Sequence, residues 1–266
     1  MGKVLKIDFV GAGNLAWSLA PALENAGASV RNIYSRNINN AQKLANKLYE
    51  GQAKADLDFS GTGADIILIA VSDDAIEEVA KEIILSDDII IAHTSGSKAL
   101  STLGYLATPN IGVFYPLQTF TKNQQVNFEE TPILIEGDNK LTTENLIQLA
   151  KILSGNVSII SSLQRQQLHV AAVFANNFTN WMLSHSEEIL QAANFDLTIM
   201  QPILEQSIAK AMQFGPKNAQ TGPAKRGDFE VLDTQMELLE SQPEKQEIYK
   251  LVSQQILDYY QTQLDE

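Results

Sequence analysis

The chain has 266 residues, 44% of them hydrophobic and 19% charged, with a formal net charge of −13. These values describe a water-soluble globular protein, long enough for one large core or two smaller ones. The acidity argues against a surface for nucleic acid or anionic membrane, since both need clustered Lys and Arg. The absence of cysteine excludes disulfides, thiol catalysis and Cys-ligated metals, and no metal site is expected. The first strand begins by Val4, which leaves no room for a signal peptide. The Met-Gly start has Lys6 where myristoylation wants Ser or Thr. No apolar run nears the ~18 residues of a membrane helix, so the cytoplasm is the expected location.

In chain order, the first element is an apolar strand, Lys6-Ile7-Asp8-Phe9-Val10, that runs into Gly11-Ala12-Gly13-Asn14-Leu15-Ala16 and then a helix. Gly-x-Gly-x-x-Ala between a strand and a helix reads as a dinucleotide cradle. Gly11 allows the tight turn, Gly13 lets backbone approach a pyrophosphate, and Ala16 lets the helix pack close. The free N–H groups of the first helical turn, at Asn14 and Leu15, face the phosphate charge. The second strand, Val30-Arg31-Asn32-Ile33-Tyr34, is followed by Ser35-Arg36-Asn37. An NAD site usually places Asp or Glu there. Arg36 can instead pair with a 2′-phosphate that a carboxylate would repel, which favours NADP.

Residues 66–71 are nearly all apolar, as a strand buried on both faces should be. Ser72 or Asp73 can cap the next helix, whose apolar face is Ile76, Val79, Ala80 and Ile83; Ser72 and Val71 are alternatively cofactor contacts. Ile89-Ile90-Ile91-Ala92 predicts a strand ending in His93-Thr94-Ser95-Gly96-Ser97. Ile111-Gly112-Val113-Phe114 predicts another, ending in Tyr115-Pro116-Leu117-Gln118-Thr119-Phe120. A strand at 132–135, a helix over 142–153 and a strand at 157–160 follow. Strands alternating with helices imply an α/β, doubly wound, mostly parallel sheet over residues 1–160. Ligands of such sheets bind beyond the carboxyl ends of the strands. His93 and Thr94 are therefore candidates for the cofactor, Ser95 for catalysis and Pro116 for substrate, against the alternative of turn and cap chemistry.

From Ser161 to residue 266 the pattern reads as all helix. Ser161 and Gln164 form a capping box that starts a long helix to about Ala192. Val170-Ala171-Ala172-Val173-Phe174-Ala175 is apolar on every face, so burial is expected. Arg165, His169, Asn176 and Asn180 fall near one stripe, with Asn177 beside it. Polar groups on a buried helix cost ~1–3 kcal/mol each if unpaired. They either bond to backbone or line a substrate cleft, and His169 is either structural or catalytic. Gln220-Thr221-Gly222-Pro223-Ala224-Lys225-Arg226-Gly227-Asp228 predicts a tight turn with Thr221 and Arg226 as substrate contacts and Asp228 as a helix cap; the alternative is a plain interhelical turn. Two amphipathic helices broken near Pro243 end the chain, with a charged face and an apolar one suited to subunit packing.

The glycine motif, Ser35-Arg36, Ala70-Val71-Ser72-Asp73 and the all-helical second half resemble the pyrroline-5-carboxylate reductase and β-hydroxyacid dehydrogenase superfamily. His93-Thr94-Ser95-Gly96, Tyr115 through Phe120, Leu168-His169 through Asn177-Phe178, and Thr221-Gly222-Pro223 through Asp228 are similar to a sparsely characterised bacterial group within it, labelled NADP oxidoreductase. The resemblance implies a Rossmann-type nucleotide domain, an all-helical domain for substrate and dimerisation, and a homodimer. It departs in one respect. The β-hydroxyacid dehydrogenases place a catalytic Lys one turn before an Asn, whereas Ala172 and Val173 stand one turn before Asn176 and Asn177 here.

The leading expectation is NADP(H)-dependent hydride transfer to or from a small imine or carbonyl compound. His169 would be the proton donor, its ordinary pKa of about 6.5 suiting neutral pH, and Asn176 or Asn177 would orient the substrate. The alternatives are an NADP-binding sensor or partner protein without turnover, and hydride exchange between NADP and a deazaflavin or flavin.

Overall fold

The computed structural model describes residues 4–122 and 124–261. Two compact units divide the chain between Phe174 and Ala175.

The first unit alternates strands with helices, as the apolar runs require. β1 (Lys6–Val10), α1 (Asn14–Asn25), β2 (Ser29–Tyr34), α2 (Ile38–Ala45), β3 (Gln52–Lys54) and β4 (Ile66–Ile69) come first. α3 (Ile76–Glu82), β5 (Ile90–His93), β6 (Ile111–Pro116), β7 (Ile133–Gly137), α4 (Lys140–Lys151), β8 (Val157–Ile159) and α5 (Ser162–Ala172) follow. Among the described residues the strands form an eight-stranded sheet in the order β3-β2-β1-β4-β5-β6-β7-β8. Every neighbouring pair is parallel except β6 and β7. Chain direction along the sheet reverses at β1, where the order turns from β2 to β4, and the carboxyl ends of these strands open a crevice there.

β4 and β5 are buried at every position. Two apolar layers cover the sheet. One joins Ile7, Phe9 and Leu68 to Leu19 and Leu23 of α1 and Leu146 and Leu149 of α4. The other joins Val10, Ile67 and Ile69 to Ile76, Val79 and Ala80 of α3. Each fully buried Ile or Leu stabilises the fold by ~1.5–3 kcal/mol before conformational entropy is subtracted. Side chains at the helix starts mark the boundaries. Asn37 caps α2, Asn139 caps α4, and Ser161 with Gln164 forms the expected capping box at α5.

α5 belongs to the first unit, beyond the boundary expected near residue 160. Several of its side chains bond to the sheet and its loops, Ser162, Gln166 and His169 among them. Arg165 is fully buried, paired with Glu136 of β7 and bonded to the Lys98 carbonyl after β5.

The second unit holds α6 (Thr179–Ala192), α7 (Gln201–Phe214), α8 (Pro216–Ala219), α9 (Pro223–Arg226), α10 (Phe229–Leu238) and α11 (Pro243–Gln261). A π-helical stretch, Val173–Phe178, lies between α5 and α6 and carries the chain from one unit into the next. The helical run reaches Ala192 as expected, but this π stretch lies within it and shifts the 3.6-residue stripe that joins His169 to Asn176. The burial expected for 170–175 is corrected too: Val170 is 56% and Phe174 65% exposed. No helix among the described residues is long and apolar enough to cross a membrane.

Candidate functional site

The sharp turn after β1 needs glycine. Gly11 has φ +119°, and a Cβ there would overlap the Ala70 carbonyl at the end of β4. β1 and β4 thus approach each other closely at their carboxyl ends. Gly13 has open space around it, with the Ala70 oxygen 3.8 Å from where a Cβ would stand. It occupies the N-cap of α1, and no side chain caps that helix. The N–H groups of the first turn of α1 are left for another partner, and an anion suits them electrostatically.

These features open on a cavity of about 430 Å³ at the ends of β1, β2 and β4. Of the residues expected at a cofactor, Gly11, Gly13, Asn14, Leu15, Ser35, Arg36, Val71 and Ser72 all line it. Arg36 is exposed, and no ion pair engages its guanidinium among the described residues. Ser72 precedes a short 3₁₀ turn at Asp73–Ala75, and its hydroxyl makes no capping bond. Lys122, which the sequence reading missed, lines the same cavity. Uncapped N–H donors, a glycine forced by close approach and two cations form a donor set that fits a dinucleotide phosphate.

His93 and Thr94, expected at a cofactor, are not among the residues that line this cavity. The His93 side chain is fully buried, and its Nδ1 accepts from the Ser95 N–H at 3.2 Å. Burial, and then the Arg165 charge, push its imidazole down to about 4. Thr94 is buried and its hydroxyl donates to the Ile69 carbonyl at 3.1 Å. Both side chains tie β5 to its surroundings, and neither lines the cavity. Ser95 is turned inward as well. Its Oγ accepts from the N–H groups of Ser97 and Lys98 at 3.1 and 3.0 Å. It closes the turn after β5. Pro116 is buried at the end of β6 and paired with Ile133 of β7.

His169 faces a different partner from those the sequence suggested. Its Nδ1 lies 3.0 Å from the Tyr115 hydroxyl at the end of β6. The rings meet edge-on, with centroids 6.1 Å apart and planes at 69°. Burial pushes the Tyr115 phenol above its ordinary value. The loop after β5 is clamped beside this pair. Ser97 donates to Asp73, Gln166 of α5 donates to the Ser97 carbonyl at 2.8 Å, and Arg165 donates to the Lys98 carbonyl.

In the second unit, Asn176 and Asn177 lie in the π-helical stretch, both exposed, with Asn176 Nδ2 3.5 Å from Asn177 Oδ1. π turns are uncommon and occur often at functional sites. Thr221 stands before Gly222 and Arg226 before Gly227, the two glycines of positive φ that flank α9 and make the expected turns. Arg226 is exposed and 3.9 Å from Asp228, which caps α10 as expected.

The fold and this cavity define a Rossmann-type nucleotide protein followed by a helical unit. Residues 6–96 match the family described as NADP oxidoreductase coenzyme F420-dependent. Residues 131–256 match a domain of unknown function, DUF2520. A Bacteroides fragilis protein provisionally assigned as an NADP oxidoreductase is 35% identical, with a TM-score of 0.90 over 96% of this chain and 98% of that one. A protein from Thermotoga maritima is 21% identical, with a TM-score of 0.70 over 97% and 99%. The Aspergillus terreus reductive aminase, solved with NADPH and ethyl levulinate, shares the fold at 13% identity, with a TM-score of 0.60 over 88% and 78%. No curated protein matches the chain. The chain belongs to the family that joins this NADP oxidoreductase domain to DUF2520. It is an oxidoreductase-family member with a nicotinamide-nucleotide cleft.

Proposed function

We propose that this protein is an NADP(H)-dependent oxidoreductase that moves hydride between the nicotinamide and a small imine or carbonyl compound. The observation that carries the reading is the cavity at β1, β2 and β4, where the uncapped start of α1 and the unengaged Arg36 meet. The first suits a pyrophosphate, the second a 2′-phosphate. When bound, NADPH supplies the hydride. The chain supplies binding, orientation and a proton. His169, half-buried beside the ends of β5 and β6, is the proton donor in this reading. Asn176 and Asn177 orient the substrate, and Thr221 and Arg226 are further substrate contacts. The absence of a lysine one turn before Asn176 favours a substrate that already carries charge, such as an iminium, over a plain 3-hydroxy acid.

A panel of small imines, ketones and keto acids, followed through NADPH absorbance, tests the reading. Turnover of at least one class is expected, and His169→Ala should lower kcat at least tenfold. Full turnover by that variant removes the proposed donor. No oxidation of NADPH with any of them, in a protein that binds it, favours the sensor reading instead. The family description also favours a second acceptor, a deazaflavin; flavin- or deazaflavin-dependent NADPH oxidation would reveal it.

The partner we infer is a second copy of this chain on the helical unit. Trp181, Ile203, Ile208, Met212 and Leu238 are all more than half exposed, more apolar surface than an isolated soluble unit ordinarily leaves open. Light scattering should give twice the chain mass; a monomer at micromolar concentration would sink this inference.

A further inference from the structure

We propose that Tyr115 sets the tautomer of His169, donating its hydroxyl proton to Nδ1 so that the neutral ring carries its own proton on Nε2. This deepens the reading of His169 as proton donor and rests on it.

Three observations converge. Tyr115 Oη and His169 Nδ1 are 3.0 Å apart, within range of a good hydrogen bond. Which ring nitrogen of a histidine is protonated is set by the bond the other one makes. Burial raises the phenol above its ordinary value, so Tyr115 keeps its proton and can give it to a hydrogen bond. The charged groups acting on the phenol are Arg165 and Asp73; Arg165 favours the phenolate, but burial outweighs it. A phenol O–H is a stronger donor than its oxygen is an acceptor, and the Nδ1 lone pair is the acceptor in reach.

Gly96 supplies the third observation. A Cβ there would lie 2.5 Å from His169 Nδ1, 2.7 Å from Tyr115 Cζ and 2.8 Å from Tyr115 Oη. No side chain fits against the pair. The loop that carries Gly96 is held on both sides of it, by Ser95 closing the turn and by Gln166 and Arg165 gripping Ser97 and Lys98. Gln166 and Arg165 precede His169 on the same helix. The loop, the helix and β6 therefore form one frame around the hydrogen bond.

The consequence is directional. With Nδ1 engaged, Nε2–H is the donor left for a substrate. Tyr115 is a positioning residue in this scheme, since it acts through His169.

The test is long-range ¹H–¹⁵N correlation of histidine rings in the intact protein. There are three histidines in the chain, assignable by single replacement. Wild type should show His169 with Nε2 protonated and Nδ1 bare, as one tautomer. In Tyr115→Phe both nitrogens should move toward the averaged shifts of a free imidazole, with His93 and His185 unchanged and NADPH affinity within twofold. Gly96→Ala should move His169 the same way. A proton on Nδ1 in wild type, or a His169 signature that Tyr115→Phe leaves unmoved, overturns the proposal. The readout needs no substrate, so its failure is separate from full turnover by His169→Ala, which would overturn the function reading.

Discussion

Ile7, Phe9 and Val10 of β1 and all of β4 are fully buried, whereas Trp181, Met212 and Leu238 of the helical unit are 56%, 85% and 74% exposed. The sheet unit has two broad apolar layers. The buried cluster found in the helical unit centres on three residues, Ala224, Leu232 and Leu257. The sheet unit closes its core within a single chain, and the helical unit leaves large apolar side chains outside. The first can hold a cofactor geometry by itself. The second needs cover, and in our reading a second copy provides it.

The comparison breaks most visibly on the apolar faces. Met212→Glu together with Leu238→Glu should weaken self-association by roughly 1,000-fold, at ~1.5–3 kcal/mol of lost burial each. Sedimentation should show the mass halved, and hydrogen exchange should show lost protection in α7 and α10 with β1 and β4 unaffected. Unchanged mass would mean that these faces are not the interface.

Next in size is the ion pair that binds α5 to the sheet. Arg165→Met leaves Glu136 without its guanidinium, a change that costs about 3–5 kcal/mol for a buried pair. The low end is expected, because Ser162 still donates to Glu136 through its N–H and its hydroxyl at 3.0 and 2.9 Å. Urea unfolding of the sheet unit reads it, and a loss under 1 kcal/mol would contradict the assignment.

His93 gives a smaller, pH-dependent difference. Its folded pKa is depressed to about 4 from an ordinary 6.5. The unfolded chain therefore binds more protons between these values, and stability falls as pH drops from about 6.5 to about 4. Subtracting the profile of His93→Gln isolates that slope. Identical profiles would mean that burial does not hold the ring neutral.

How much of this was legible follows from the range of each interaction. The Gly11 turn, the capping box at Ser161 and Gln164, and the strands at 66–69 and 90–93 are local, and the sequence reading placed them. β3, three residues with polar ends at a sheet edge, has no apolar signature. The antiparallel run of β7 could not be read, since an apolar strand looks the same in either direction. Tyr115 and His169 are 54 positions apart, and no periodicity pairs them. His93, Thr94 and Ser95 stand at a strand end, where Ser, Thr and His serve both chemistry and turns; spacing alone does not show the hydrogen bonds they make there. The apolar stretch 170–175 reads as buried, yet Val170 and Phe174 are exposed, because hydrophobicity alone does not fix where a helix face packs.

The smallest structural change has the most direct bearing on function. Arg36→Ala should leave both units as stable as before, since Arg36 holds no ion pair among the described residues. The measurement is calorimetric titration of wild type and this variant with NADPH and NADH in parallel. The account predicts that wild type binds NADPH at least tenfold more tightly than NADH, about 1.4 kcal/mol, and that Arg36→Ala closes the gap. Equal affinities in wild type, or binding of neither nucleotide, would contradict it.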